Sequence, residues 1–309
     1  MIKIFLILGL SALISACVSD HPIATSSSAD NFLRPGDIVV VSSANDTVVA
    51  LHPDGYYKDI VQDVDTDTTV TYRGLAWKSD TREVLIAYDS TTVGQDKIIA
   101  VSAITGIART LIQNSNWSGV LAGITVLSSG DILATETNGV EKFSTDGVRI
   151  VGGNYPIITL MTTPQQVAST VSGGFVACST GTSEVRTYDA AGNQTHSASS
   201  AAPGTVLTPT INIYGCMEMS NGHFATAYNG ATDTVRIYDS TMSSVIADYS
   251  DINYLGDPRA IAQRANGNLL VTDGTFHHIV ELTSTGGFVR LLGGSVLNTP
   301  TFIMVVPPF

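Results

Sequence analysis

Four oxygen-bearing side chains follow short apolar segments of the sequence and could together bind a cation. They are Asp89, Glu136, Asn229 and Asp273. Carboxylate and amide oxygens are the ligands that Ca²⁺ prefers, so these residues predict a calcium site if the fold brings them together. The alternative is structural, because Asp and Asn at the ends of strands also bond the backbone of their own turns.

The residues Ile14-Ser15-Ala16-Cys17 indicate a different chemistry, which is covalent lipidation. Lys3 precedes an apolar run over residues 4–14, and small residues follow, as is typical of a secretory signal. The segment resembles the bacterial lipobox. That resemblance implies cleavage before Cys17, acylation of Cys17 and, because Val18 rather than Asp follows, an outer-membrane location. The alternative is an ordinary signal peptide with a chance cysteine.

Two further cysteines, Cys178 and Cys216, lie in apolar segments. An exported protein meets an oxidising compartment, so a disulfide between them is one possibility. Two separate buried thiols are the other, because Cys is accepted inside proteins as a small apolar residue. The sequence has no Gly-x-Ser-x-Gly nucleophile elbow, so a metal-independent hydrolase of that kind has no visible nucleophile.

The composition limits the partners. Only 14% of the 309 residues are charged, and the formal net charge is −12 at pH 7. A surface that follows a nucleic acid backbone needs clustered Lys and Arg, which are scarce here, so we expect no nucleic acid partner.

The elements that must position these residues repeat along the chain. A short apolar run recurs six times, with intervals of 46, 48, 43, 49 and 45 residues between successive starts. The runs start at Ile38, Val84, Ile132, Phe175, Phe224 and Leu269. Each is followed by a second strand-like segment and a turn. Two of these turns read Asp54-Gly55 and Asp146-Gly147, which is a strong hairpin signal because Gly accepts positive φ.

Four short strands in about 45 residues is the blade period of a β-propeller. The sequence therefore predicts an all-β, six-bladed propeller over residues 36–309, with four antiparallel strands in each blade. The first repeat lacks one strand and a spare one occurs at the C-terminus, so we expect the C-terminal strand to join the N-terminal blade and close the ring. A seven-bladed ring is the alternative. Residues 1–16 are predicted as the signal peptide, and 17–35 as the lipidated cysteine and a flexible tether.

Three segments carry a family resemblance. Residues 267–273, 233–239 and 258–262 read Gly-Asn-Leu-Leu-Val-Thr-Asp, Asp-Thr-Val-Arg-Ile-Tyr-Asp and Pro-Arg-Ala-Ile-Ala, and they resemble the NHL-type repeat and gluconolactonase-like six-bladed propellers. In the latter, Glu, Asn and Asp ligands from different blades hold a metal. The resemblance implies fold more than activity, since this architecture serves both enzymes and binding proteins.

Two functions are consistent with these observations. The first is a bacterial envelope lipoprotein, held on the membrane by acylated Cys17, whose propeller is a scaffold that binds a protein, a glycan or a small molecule. The second is a Ca²⁺-dependent hydrolase or lactonase of the gluconolactonase-like type, with its site at the central channel.

Overall fold

The computed structural model describes residues 31–63, 70–92, 94–113, 117, 119–157, 161–199 and 212–309. Cys17 and residues 1–16 lie outside the described residues, so the signal peptide and the lipidation remain predictions. Within the described ranges, no helix has the length and apolar character needed to cross a bilayer.

The described chain is built from β-strands, with two short 3₁₀ turns at Ser43–Asn45 and Gly294–Val296. The strands fall into six groups that follow the repeats of the sequence. They are β1 (Ile38–Ser42), β2 (Thr47–Leu51), β3 (Tyr57–Asp63); β4 (Val70–Lys78), β5 (Glu83–Ser90), β6 (Lys97–Ser102), β7 (Ala108–Gln113); β8 (Ile124–Val126), β9 (Ile132–Glu136), β10 (Gly139–Phe143), β11 (Arg149–Ile150); β12 (Pro164–Ser169), β13 (Phe175–Ser179), β14 (Glu184–Tyr188), β15 (Gln194–Ser199); β16 (Asn212–Glu218), β17 (Phe224–Asn229), β18 (Thr234–Tyr238), β19 (Val245–Tyr249); and β20 (Pro258–Gln263), β21 (Leu269–Asp273), β22 (His278–Leu282), β23 (Phe288–Leu292), β24 (Pro300–Val305).

These strands form six four-stranded antiparallel sheets, so the predicted six blades are confirmed. Blade 1 has the order β24-β1-β2-β3, and blades 2 to 6 are β4–β7, β8–β11, β12–β15, β16–β19 and β20–β23. The inner strands β4, β8, β12, β16, β20 and β24 each contact the next, and β24 contacts β4 in turn. The ring is therefore closed.

Local sequence explains why the blades form. All five residues of β1 are buried, as expected for a strand covered on both faces by neighbouring blades. The Asp-Gly hairpins predicted after β2 and β10 are present, with Gly55 at φ +94° and Gly147 at φ +84°. Only glycine adopts this backbone region without a steric cost, so these two residues place the outer strands β3 and β11 beside β2 and β10 in blades 1 and 3.

The C-terminal strand closes the ring as predicted. In β24, Ile303 lies opposite Val40 of β1, and Phe302, Ile303 and Met304 are all buried. The ordered packing begins earlier than the predicted boundary at Gly36. Leu33 is fully buried and donates its backbone N–H to the carbonyl of Ala103 at 2.8 Å, so the last residues of the predicted tether belong to the propeller.

Neighbouring inner strands approach one another backbone to backbone. A Cβ atom at Gly123 would lie 2.2 Å from the Gln165 carbonyl oxygen, and one at Gly215 would lie 2.2 Å from that of Arg259. Any larger residue would force these strands apart. Neighbouring inner strands are thus in direct backbone contact at Gly123 and Gly215.

Candidate functional site

The four predicted calcium ligands do not occupy equivalent positions in their blades. In blades 3 and 6, Glu136 pairs with Gly139 and Asp273 pairs with His278 across the second and third strands. Gly139 and His278 are the first residues of those third strands. In blades 2 and 5 the same position is held by Tyr88 and Tyr228. Their chain neighbours Asp89 and Asn229 are therefore offset by one residue, and successive side chains of a strand point to opposite faces.

Asp273 is used to hold two loops. One carboxylate oxygen accepts the N–H groups of Gly256 and Asp257 at 2.7 and 2.9 Å, and the other accepts those of Thr275 and Phe276 at 3.0 and 2.8 Å. The residue is fully buried. Asp273 therefore has the structural role of a carboxylate that bonds the backbone of turns.

Asp89 and Asn229 are also engaged. Asp89 accepts hydrogen bonds from Arg73 Nε at 2.9 Å and from the Leu121 N–H at 3.0 Å. Asn229 donates from Nδ2 to Asp257 at 2.5 Å, and Arg259 pairs with the same carboxylate. Over the residues that the structure describes, no three His, Cys, Asp or Glu side chains are grouped so as to hold a metal ion. Asp89, Asn229 and Asp273 are thus each engaged by groups of the protein, and calcium binding by the four residues remains a prediction.

A cavity of about 420 Å³ opens beside Asp89, and Asp96 and Trp117 also line it. Burial, together with the nearby charge of Asp89, raises the pKa of Asp96 above its ordinary value, although a hydrogen bond from the Ser90 N–H opposes this. Trp117 is 2% exposed and its indole N–H has no partner. Two carboxylates, Asp89 and Asp96, thus line one open space here.

Cys178 and Cys216 are both buried free thiols in the structure, so the disulfide is not formed. Each sulfur lies close to the carbonyl oxygen of Gln166, at 3.4 and 3.5 Å. Burial raises the pKa of the Cys216 thiol, and the neighbouring Cys178 raises it further. Both residues act as small core side chains whose sulfurs share a weak acceptor.

Gln166 lies between these thiols and connects three blades. From β12 of blade 4, its Nε2 donates to the Ile261 carbonyl at 2.8 Å, and its Oε1 accepts the N–H groups of Ile261 and Cys216 at 3.0 and 3.3 Å. Ile261 lies on the inner strand of blade 6, two blades away. A polar side chain thus joins the inner strands of three blades.

A second cavity, of about 560 Å³, lies between blades 3 and 4. Arg186 and Tyr188 of β14 line it, together with residues 153–157 and 192–194. Arg186 is 8% exposed and Tyr188 4% exposed, and the Arg186 Nε and Tyr188 hydroxyl are buried without a hydrogen-bond partner. Burial raises the pKa of Tyr188, although Arg186 nearby opposes this.

Sequence reasoning did not identify this cavity. The signal was present, because Val-Arg-x-Tyr occurs both in β14 and in β18. What distinguishes the two copies is the identity of their cross-strand neighbours, which follows only from the register.

No family model matches the chain, and no curated protein matches it. Solved structures do resemble it. A chain in the crystal structure of a nidogen–laminin complex superimposes with a TM-score of 0.68 at 14% identity, covering 87% of this chain and 98% of that one.

Two bacterial enzymes are also similar in structure. Virginiamycin B lyase from Staphylococcus aureus has a TM-score of 0.59 at 16% identity and covers 86% of this chain and 85% of its own. A gluconolactonase from Xanthomonas campestris has a TM-score of 0.58 at 11% identity, with coverage of 90% and 91%. At these identities the likeness establishes the six-bladed fold and leaves the activity open.

Proposed function

We propose that this protein is a bacterial envelope lipoprotein whose propeller is a binding scaffold. The observation that favours binding over catalysis is the engagement of Asp273 and Asp89, since their carboxylates hold loops and an arginine. A binding function needs only a rigid frame with a cavity, and the closely packed ring provides one.

The anchoring part of the proposal rests on residues 14–17 and their resemblance to the lipobox. Two or three acyl chains hold a protein on a bilayer where a single chain gives only reversible binding. Acylated Cys17 would place the propeller at the outer membrane of the envelope, next to a protein, glycan or small-molecule partner.

The charge distribution supports the absence of a nucleic acid partner. Most described basic side chains are already paired with an acid of this chain. Such pairs are Lys58–Asp37, Arg73–Asp89, Lys78–Asp80, Arg109–Glu83, Lys142–Asp131, Arg149–Glu141, Arg186–Glu184, Arg236–Asp248, Arg259–Asp257 and Arg290–Glu281. With 27 acids against 15 basic residues, the surplus charge on the surface is negative and repels phosphate backbones.

Anchoring is tested by expressing the full chain and its Cys17→Ser variant in a bacterium fed an alkyne analogue of palmitate. The parent should carry the label and sediment with membranes, and Cys17→Ser should lose both properties because it lacks the acylated thiol. An unlabelled parent, or a labelled Cys17→Ser, would contradict the proposal.

The lactonase alternative has one observation in its favour, the cavity shared by Asp89 and Asp96. Thermal unfolding with and without Ca²⁺, followed by a panel of lactones, separates the two functions, because a ligand that binds only the folded state raises Tm. We expect no calcium shift and no hydrolysis. A Tm increase that Asp89→Asn abolishes, with lactone turnover, would establish the enzyme instead.

A further inference from the structure

Blade 5 carries the same two side-chain types as the cavity between blades 3 and 4, so the two places can be compared. Arg236 and Tyr238 of β18 correspond to Arg186 and Tyr188 of β14, because Tyr238 pairs with Phe224 as Tyr188 pairs with Phe175. The same two side-chain types therefore lie at the same place in two blades. Their surroundings differ.

In blade 5 both side chains are satisfied. Arg236 donates from Nε and Nη2 to the two carboxylate oxygens of Asp248, at 2.6 and 2.8 Å. The Tyr238 hydroxyl bonds to that of Tyr228. This is a complete polar network of the kind that buried donors require.

In blade 4 both partners are missing. The register places Ser197 opposite Arg186, where blade 5 has Asp248 opposite Arg236. Ser179 occupies the position of Tyr228, and its hydroxyl bonds to the Thr162 carbonyl. Two short serines thus leave the Arg186 Nε and the Tyr188 hydroxyl without a hydrogen bond of good geometry in residues that line a cavity, and the nearest polar neighbour of the hydroxyl is Arg186 itself.

The charges around the cavity select a neutral ligand. Arg186 is already paired with Glu184, so it carries little uncompensated charge. Burial, together with the charges of Asp189 and Asp131, raises the pKa of Tyr155 in the cavity wall. Glu184 pairs with Arg186, and the Asp189 carboxylate bonds the lining residue Asn193, so an added carboxylate or phosphate would lie near two acids and be repelled.

The lining also has the mixture of amide and apolar groups that suits a polyhydroxylated molecule. Asn154, Asn193 and Gln194 line it with amide groups. Asn154 Nδ2 already donates to the Ala191 carbonyl and to Asn193 Oδ1, and Asn193 Nδ2 donates to Asp189, so Asn154 Oδ1 and Gln194 Nε2 are the groups offered to a ligand. Residues 155–157 form an apolar wall. Gln194 is exposed and is held to Arg186 Nη1 by a long contact of 3.4 Å, so a ligand can displace it. The volume of about 560 Å³ lies within the usual range for small-molecule sites.

We propose that this cavity binds a neutral saccharide, whose hydroxyl oxygens accept from Arg186 Nε and bond the Tyr188 hydroxyl once Gln194 moves aside. This inference names a ligand class for the binding function proposed above and rests on it. Because anchoring is measured separately by the acyl label, a failure here leaves the lipoprotein assignment intact.

The test is calorimetric titration of the detergent-solubilised full-length lipoprotein with glucose, N-acetylglucosamine and maltose, and with glucuronate as an anionic counterpart of glucose. At least one neutral sugar should bind with a Kd of about 1 mM or tighter, and glucuronate should bind more weakly than glucose. Tyr188→Phe should weaken sugar binding about tenfold, since it removes one hydrogen bond, while Tm stays equal or rises because the lost hydroxyl had no partner.

Tyr238→Phe is the matched control from blade 5. It removes a hydroxyl that is bonded within the protein, so Tm should fall while sugar binding stays unchanged. The proposal is overturned if no neutral sugar binds, if glucuronate binds more tightly than glucose, if Tyr188→Phe binds as the parent does, or if Tyr238→Phe weakens binding equally.

Discussion

Gln166 shows how much a single side chain contributes to the ring. Its amide bonds both backbone groups of Ile261 and the N–H of Cys216, and the residue is 9% exposed. Ile261 and Cys216 lie on β20 and β16, the inner edge strands of their sheets, where no further described strand of the blade pairs with the axis-facing edge. Leaving such groups unpaired costs about 1–3 kcal/mol each.

Gln166→Leu should therefore lower the free energy of unfolding by about 2–4 kcal/mol, because it keeps the volume and removes the amide. The neighbouring Gln165 is the matched control, since it is half-buried and its Nε2 bonds only the Thr163 carbonyl. Gln165→Leu should cost less than about 1 kcal/mol. Urea unfolding measures the free energy of unfolding of both variants. Equal losses would show that the hydrogen bonds of Gln166 between blades contribute no more to stability than the single bond of Gln165.

At the scale of the element, each blade carries a pair between a basic and an acidic side chain in its outer part. The pairs are Lys58–Asp37, Arg109–Glu83, Arg149–Glu141, Arg186–Glu184, Arg236–Asp248 and Arg290–Glu281 for blades 1 to 6. Several of the acids are buried, so each pair supplies the partner that a buried carboxylate needs. In every blade except blade 4, where both residues lie on β14, the pair also joins separate segments of the blade.

Glu281 predicts how stability responds to acid. Burial alone would raise its pKa, but hydrogen bonds from Asn268 and Arg290 and the charge of Arg264 outweigh burial and hold the pKa below its ordinary value of 4.5. A depressed pKa in the folded state adds stability above pH 4.5, and that contribution is lost as the pH falls through the folded-state pKa. The protein should therefore become less stable below about pH 4.5.

Glu281→Gln gives the corresponding measurement. It removes the titrating group, so the variant should be less stable than the parent at pH 7, and the difference should shrink on going to pH 3. Urea midpoints at the two pH values report this directly. If the difference in stability between parent and variant were larger at pH 3 than at pH 7, Glu281 would be excluded as a source of the acid sensitivity.

At the scale of the whole molecule, closure depends on a strand from the opposite end of the chain. β24 is the inner strand of blade 1, and Ser42 Oγ accepts the Asn298 N–H at 2.8 Å beside it. Without β24 the inner edge of β1 is unpaired, and the buried faces of blades 1, 2 and 6 lose Phe302, Ile303 and Met304. An open ring also exposes sheet edges to aggregation.

Deleting residues 300–309 should therefore abolish cooperative thermal unfolding or lower Tm severely. Deleting only Pro308 and Phe309 is the control, because it keeps β24 and removes little beyond the contact between the Phe309 and Trp77 rings. That shorter deletion should unfold as sharply as the parent. A chain lacking residues 300–309 that melts as hot as the intact protein would contradict closure by β24.

The number of blades, the strand pattern and the closing strand are all predictable from the sequence. These features depend on local signals, such as apolar runs at intervals near 45 residues and Asp-Gly turns, which act within a single blade. The turns after β2 and β10 formed as expected because glycine alone tolerates their backbone angles.

What lies between the blades depends on the tertiary structure. Asp89 and Asn229 already lie one residue further along their strands than Asp273, which reverses the face of the sheet, but the backbone groups and side chains that each of them bonds follow only from the packing. The reach of Gln166 to blade 6 and the open donors of Arg186 and Tyr188 likewise depend on which residues lie opposite them across strands. Such neighbours are distant in the chain, so the register and packing of the blades select them, and no local pattern records the choice.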